Sequence, residues 1–294
     1  MIFGDLYRNS KMTRVIICFV EEVSRSKSTR IIGDSYLYGG DESIRKRRSQ
    51  SLTLALNDLG WNLAEPLHIE SCMLGLSNRN YKISCADYGP LLLRIFGPTV
   101  GESNPNERHI QDCGFGAQVV QRLGWGRLEA WLPGRPMRRE DCDNNSVLAA
   151  LANELRRLHS EADRNHNDLN FTNVLISDND ESPTLHLLDF EYAGPLDPHF
   201  DVANFFCEWM YDYESTRWFE PDPTLFPSDA QARSFVALYL EISDCNSGEV
   251  SAFLNEVRER LSDVHTFWID WALKNFSDRD DYIQFAEQRQ ILMS

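Results

Sequence analysis

Apolar residues recur at helical spacing over residues 52–59, where Leu52, Leu56 and Leu59 share a face, and Gly60 comes next as a stop. Residues 73–83 read as strand, turn and strand, with Gly75, Ser77 and Asn78 in and beside the turn. A further strand is expected over residues 91–97, and its alternation places Leu92, Arg94 and Phe96 on one face. Arg94 therefore needs a phosphate or an acidic partner such as Glu107, because an unpaired charge is costly to bury. Leu128, Ala130 and Leu132 alternate in what reads as an edge strand, and Pro133 and Gly134 then turn the chain. An amphipathic helix over residues 147–159 carries Leu148, Leu151, Leu155 and Leu158 on one side. Only the polar residues 160–165 separate it from His166, so no upstream strand is expected to support the loop that begins there. Two apolar runs come next, residues 174–176 and 185–188, the second ended by Asp189. The pattern predicts an α+β chain with an antiparallel sheet lobe and then a mainly helical lobe.

Composition narrows the class. At 294 residues, 42% of them hydrophobic, with 16 Phe, 10 Tyr and 7 Trp, the chain holds enough apolar surface for two lobes. The longest apolar run near the N-terminus, residues 15–20, reads as a short strand and falls short of a signal peptide core or a membrane span. A cytoplasmic location is expected. Seven cysteines without a CxxC pair point to a reducing compartment and away from a disulfide framework or a zinc site. Charge is uneven: residues 1–50 carry a net +4, including Arg45, Lys46, Arg47 and Arg48, and the remainder a net −20. An acidic body argues against a nucleic-acid partner and suits a cationic substrate or Mg²⁺. Residues 1–45 are read as a basic extension, 46–133 as the first lobe and 134–294 as the second.

The chemistry concentrates in one stretch. His166, Asp168 and Asn173 precede the apolar residues 174–176, and Asp189 ends the next strand about 20 residues on. An Asp that accepts a hydroxyl proton, an Asn five residues later and a strand-end Asp that together hold Mg²⁺ form the catalytic-loop arrangement of kinases. This spacing predicts a two-lobed protein-kinase-like fold that uses ATP.

The match extends further along the chain. The residues Leu188-Asp189-Phe190-Glu191-Tyr192, then Phe200-Asp201-Val202-Ala203-Asn204-Phe205-Phe206-Cys207-Glu208-Trp209-Met210-Tyr211-Asp212-Tyr213, resemble the choline/ethanolamine kinase family. The resemblance implies phosphoryl transfer from ATP to the hydroxyl of choline or ethanolamine. It assigns Gly75, Ser77 and Asn78 to a nucleotide loop and Arg94 to the place of the strand lysine of protein kinases. Residues 126–135 resemble the hinge, where Glu129 and Leu132 contact adenine, and Glu191, Asp201 and Asn204 support the site with His166. An aromatic pocket for the cation is expected from Tyr213, Trp268, Trp271 and Tyr282, with Glu208 as the nearby carboxylate. A homodimer is compatible with this reading. Relatives carry a long segment before the catalytic loop where this chain has residues 160–165, which leaves open a catalytically impaired binding protein. An aminoglycoside-type phosphotransferase is the other alternative.

Overall fold

The computed structural model describes residues 42–63, 67–72, 78–97, 105–177 and 183–293. Gly75 and Ser77, and the strand expected over residues 15–20, lie outside them. The chain divides into two compact units, one ending at Pro133 and one beginning at Gly134.

The first unit opens with α1 (Glu42–Asp58). Leu52, Ala55 and Leu56 bury its inner face. Gly60, at φ +83°, closes the helix: its N–H reaches the Asn57 carbonyl at 2.8 Å and the Trp61 N–H reaches Leu56 at 2.9 Å. That paired closure needs a left-handed residue, which glycine supplies without strain. Five strands complete the unit, β1 (His68–Cys72), β2 (Asn78–Cys85), β3 (Tyr88–Phe96), β4 (Val119–Arg122) and β5 (Gly126–Ala130), with α2 (Pro105–Asp112) between β3 and β4. They form one antiparallel sheet in the order β1-β2-β3-β5-β4. Leu52 and Leu56 pack with Tyr81, Ile83, Leu93, Ile95 and Leu128 as the core of this unit. The strand carrying Leu128 and Ala130 is therefore not an edge: β5 lies between β3 and β4, because β4, earlier in the chain, adds to its outer side.

The second unit starts with β6 (Arg135–Pro136) and α3 (Asn145–Arg157), which continues through a wider helical turn at Leu158–Ala162. Next come β7 (Arg164–Asn165), β8 (Val174–Ser177), β9 (Thr184–Leu187) and β10 (Gly194–Pro195). β6, β8 and β9 make a small antiparallel sheet, and β7 pairs with β10. Four helices complete the unit: α4 (Pro198–Glu208), α5 (Asp229–Leu240), α6 (Gly248–Phe276) and α7 (Asp280–Leu292). Residues Asp201 to Glu208 of α4 are all buried, which makes α4 the central helix. Phe205 and Phe206 meet Phe235 of α5 at ring-centroid distances of 5.2 and 5.8 Å. Full burial of each such side chain stabilises the fold by roughly 1.5–3 kcal/mol. Cys207 is in this core, as its apolar surroundings in the sequence predict. Among the described residues no helix is long and apolar enough to cross a membrane.

Candidate active site

Asp168 sits in a loop whose own asparagines hold its carboxylate. Asn170 Nδ2 donates to Oδ1 at 2.9 Å, and Asn173 Nδ2 donates to Oδ2 at 2.8 Å and to the Asp168 carbonyl at 2.9 Å. Asn170 also caps the turn over Phe171–Asn173, accepting the Thr172 and Asn173 N–H groups at 2.9 and 3.2 Å. Because Asn173 donates through Nδ2, its amide oxygen lies on the branch away from Asp168. The Asn173 carbonyl accepts the Leu188 N–H at 2.8 Å, which ties the loop to the segment ending in Asp189.

His166 is fully buried and fixes the loop from beneath. Its Nε2–H donates to the Leu188 carbonyl at 2.9 Å, which leaves Nδ1 to accept the Asp168 N–H at 3.3 Å. Burial holds its pKa below the ordinary histidine value, in keeping with the neutral ring this pattern needs. Asp201 of α4 anchors the same backbone: Oδ2 accepts the His166 N–H and Oδ1 the Asn167 N–H, both at 2.7 Å. His159, at the end of α3, bonds Asp201 Oδ2 at 2.9 Å through Nε2 and the Tyr239 hydroxyl at 2.8 Å through Nδ1. Asn167 adopts φ +63°, and its Nδ2 donates to the Tyr192 carbonyl at 2.9 Å. The upstream side of the loop is therefore well supported, contrary to the expectation from its polar linker. The two-residue ladder of β7 with β10 and the buried Asp201 carboxylate take the place of a longer strand.

Asp189 comes after β9 in the left-handed region, φ 65° and ψ 69°. Burial, with Glu208 and Asp189 as like-charged neighbours, pushes the Asp168 carboxyl well above the usual carboxylate range.

An aromatic cluster adjoins this loop through Tyr192. Its ring meets Trp268 at 5.6 Å and Trp271 at 6.4 Å, and its hydroxyl accepts the Trp271 Nε1–H at 2.8 Å. Trp268 Nε1–H donates to Asn204 Oδ1 at 2.8 Å, and Asn204 Nδ2 donates to the Leu169 carbonyl at 3.2 Å. Trp271 lies 5.7 Å from Tyr282, which touches Trp218 at 4.9 Å, and Trp218 lies 6.3 Å from Tyr213. The four expected aromatics thus belong to one connected set, with Glu208 bonded to Tyr213 at 2.6 Å.

In the first unit Arg94 and Arg127 stand opposite each other on β3 and β5. Glu129 pairs with both, Arg94 at 3.3 Å, and Glu107 of α2 pairs with Arg127 at 2.6 Å. Among the described residues Arg94 thus has an acidic partner, as expected, in Glu129, while Glu107 pairs with Arg127. The Glu129 side chain is thereby committed to two arginines. Leu132 lies beyond the end of β5, and Asn78 opens β2 opposite Phe96.

The sequence does not single out His159, Asn170, Tyr192 or Arg289. Arg289 carries a signal all the same: Tyr282, Phe285 and Arg289 keep helical spacing on α7, and all three are buried.

Comparison with known proteins gives consistent relatives. The family described as choline/ethanolamine kinase matches residues 164–293. A probable choline kinase of Arabidopsis thaliana is 26% identical, over 68% of this chain and 76% of the relative. A choline/ethanolamine kinase of Mus musculus is 23% identical, over 78% of this chain and 80% of its own. Among solved structures, an ethanolamine kinase of Plasmodium vivax superposes with a TM-score of 0.70 at 18% identity, covering 88% of this chain and 96% of that one. The fold is protein-kinase-like, an antiparallel sheet lobe and a helical lobe.

Proposed function

Since the family described as choline/ethanolamine kinase matches residues 164–293, we propose that this chain transfers the γ-phosphoryl group of ATP to the hydroxyl of choline or ethanolamine. The observation that carries the reading is the direct bond between the Asp168 carboxylate and Asn173, in a loop joined through Tyr192 to a cluster of tryptophans and tyrosines.

The substrate hydroxyl oxygen attacks the γ-phosphorus, the bond to the β-phosphate oxygen breaks, and ADP leaves. Asp168 takes the hydroxyl proton. Its raised pKa strengthens it as an acceptor as the O–H bond weakens. Asn170 and Asn173 hold its two oxygens, while Asp201 fixes the backbone at His166 and Asn167, so the carboxylate reaches the reaction already oriented.

The donor set fits a hard divalent cation such as Mg²⁺. Asn173 Oδ1 and the Asp189 carboxylate are both oxygen donors, and among the described residues no group of three or more His, Cys, Asp or Glu is placed to hold a metal ion. Mg²⁺ is typically held by one or two protein oxygens with phosphates and waters. When bound, it would offset charge on the transferring phosphoryl group. Arg94 is the proposed phosphate-side cation of the first unit; Glu129 holds it in place. The aromatic faces of Trp268, Trp271, Tyr213 and Tyr282 suit the ammonium end of an amino alcohol.

The short linker before His166 does not favour an impaired chain, because the loop has its anchors. The test is ADP release with Mg²⁺-ATP and either choline or ethanolamine. Turnover should fall by orders of magnitude in Asp168→Ala and Asp189→Ala, with both variants folded. Variants as active as the parent would sink the assignment.

A further inference from the structure

Arg289 is fully buried, and phosphoryl transfer as derived from the loop does not use it. Its Nη2 donates to Glu208 Oε1 at 2.7 Å, and Glu208 Oε2 accepts the Tyr213 hydroxyl at 2.6 Å. Glu208 is 2% exposed and Arg289 0%. The guanidinium lies 4.6 Å over the rings of Tyr211 and Phe285 and 5.9 Å over Trp268. Both oxygens of Glu208 are thus engaged, and its charge is matched by a cation belonging to the protein. The indole N–H groups of Trp268 and Trp271 are also spent, on Asn204 and Tyr192.

The two candidate substrates differ in what they ask of such a pocket. A primary ammonium carries three N–H donors and is costly to dehydrate unless acceptors replace its water. A quaternary ammonium has no N–H to satisfy and is attracted by ring faces alone. A free carboxylate would favour the first, and a neutral aromatic wall the second.

We propose that Arg289 is a positioning residue that sets the amine selectivity of this site: by holding Glu208 in an internal ion pair, it withholds the carboxylate and leaves an aromatic wall that prefers a quaternary ammonium. This rests on reading the cluster as the amino-alcohol pocket. On this reading Glu208 serves the wall and does not meet the substrate directly.

The experiment is a tryptophan-fluorescence titration of the full chain with tetramethylammonium and with methylammonium, which needs no catalysis. The parent should bind tetramethylammonium at least about tenfold more tightly, a difference of about 1.4 kcal/mol. Arg289→Met frees Glu208 and should shift the ratio about tenfold toward methylammonium, while Arg289→Lys keeps the pair and restores the parent ratio. Because Arg289→Met strands a buried charge and threatens folding, the paired Arg289→Met, Glu208→Gln variant supplies a second test. It should keep the tetramethylammonium preference within about threefold, and its loss would show that Glu208 meets the amine directly. Equal binding of both amines by the parent overturns the proposal, as does an unchanged ratio in folded Arg289→Met. Binding of neither amine overturns the pocket reading along with it. ADP release with an unchanged ratio overturns the selectivity proposal alone.

Discussion

Replacing Asp201 by Asn tests how much of the proposed catalytic loop depends on one carboxylate. Asp201 is 0% exposed and accepts two backbone N–H groups at 2.7 Å and the His159 ring at 2.9 Å. An amide of the same shape retains one acceptor oxygen and turns an NH₂ toward a backbone donor. At least one charge-assisted bond is lost, about 1.5–3 kcal/mol, and one buried N–H is left without a partner, about 1–3 kcal/mol more. Relief from burying a charge offsets part of this, so the expected loss is roughly 3–4 kcal/mol, against the usual stability of about 5–15 kcal/mol. The loop backbone carries Asn167 at φ +63°, next to Asp168, and its loosening should misplace the carboxylate. Urea unfolding of Asp201→Asn should show a lower midpoint at unchanged slope. Steady-state kinetics should show kcat reduced at least about tenfold with little change in KM, since a misplaced catalytic group costs the transition state more than substrate binding. A variant with the parent's midpoint and full kcat would refute the view that Asp201 holds the loop.

Geometry sets two more outcomes. Gly134 sits at φ +143°, and a Cβ there would overlap the Ile176 carbonyl oxygen across the β6–β8 ladder, so Gly134→Ala should cost roughly 1–3 kcal/mol from backbone strain alone, read as a fall in thermal midpoint. His265, packed against Cys207, has its pKa lowered to about 4, first by burial and then by Arg289. The unfolded chain then binds a proton below about pH 6.5 that the folded chain refuses. His265 stabilisation is thus complete above about pH 6.5 and fades toward pH 4, at up to about 1.4 kcal/mol per pH unit. His166, also lowered by burial, adds in the same direction. Urea titrations across this range should show a shallower decline in His265→Phe, and identical slopes would count against the burial argument.

Sequence reveals what lies close along the chain. Asp168 and Asn173 share one short loop, so their spacing already places them together, while the bond from Asn170 to Asp168 appears only in the fold. The strand just before Asp189 is equally legible, as is the burial of α4 from its mostly apolar residues 202–207. Partner choice at a distance is not. Glu129 and Glu107 both offer Arg94 a carboxylate, and only the register of β3 against β5 decides between them. The position of β5 inside its sheet depends on where β4 docks, which no alternation within β5 encodes. The support of the short linker comes from residues about 30 positions later, Gly194, Pro195 and Asp201. Arg289 is easily passed over because a charged residue near the end of a helix reads as solvent-facing; its helical spacing with Tyr282 and Phe285 is the one hint, and its contacts with Tyr211 and Glu208 establish the burial.

Tyr192 offers its carbonyl to Asn167 and its hydroxyl and ring to Trp271 and Trp268. A breeder of enzymes seeking room for a bulkier amine would find its ring an obvious side chain to trim. The hydroxyl and ring contacts can be traded away residue by residue, but the carbonyl belongs to the main chain and survives any substitution only if the local backbone stays put. On the proposed reading, substitutions that widen amine acceptance belong at Trp218, Phe276 and Tyr282, whose ring contacts among the described residues do not include the loop at 166–173. The proposed site is thus tied to the loop through the main chain at Tyr192, and directed evolution should find its gains away from that tie.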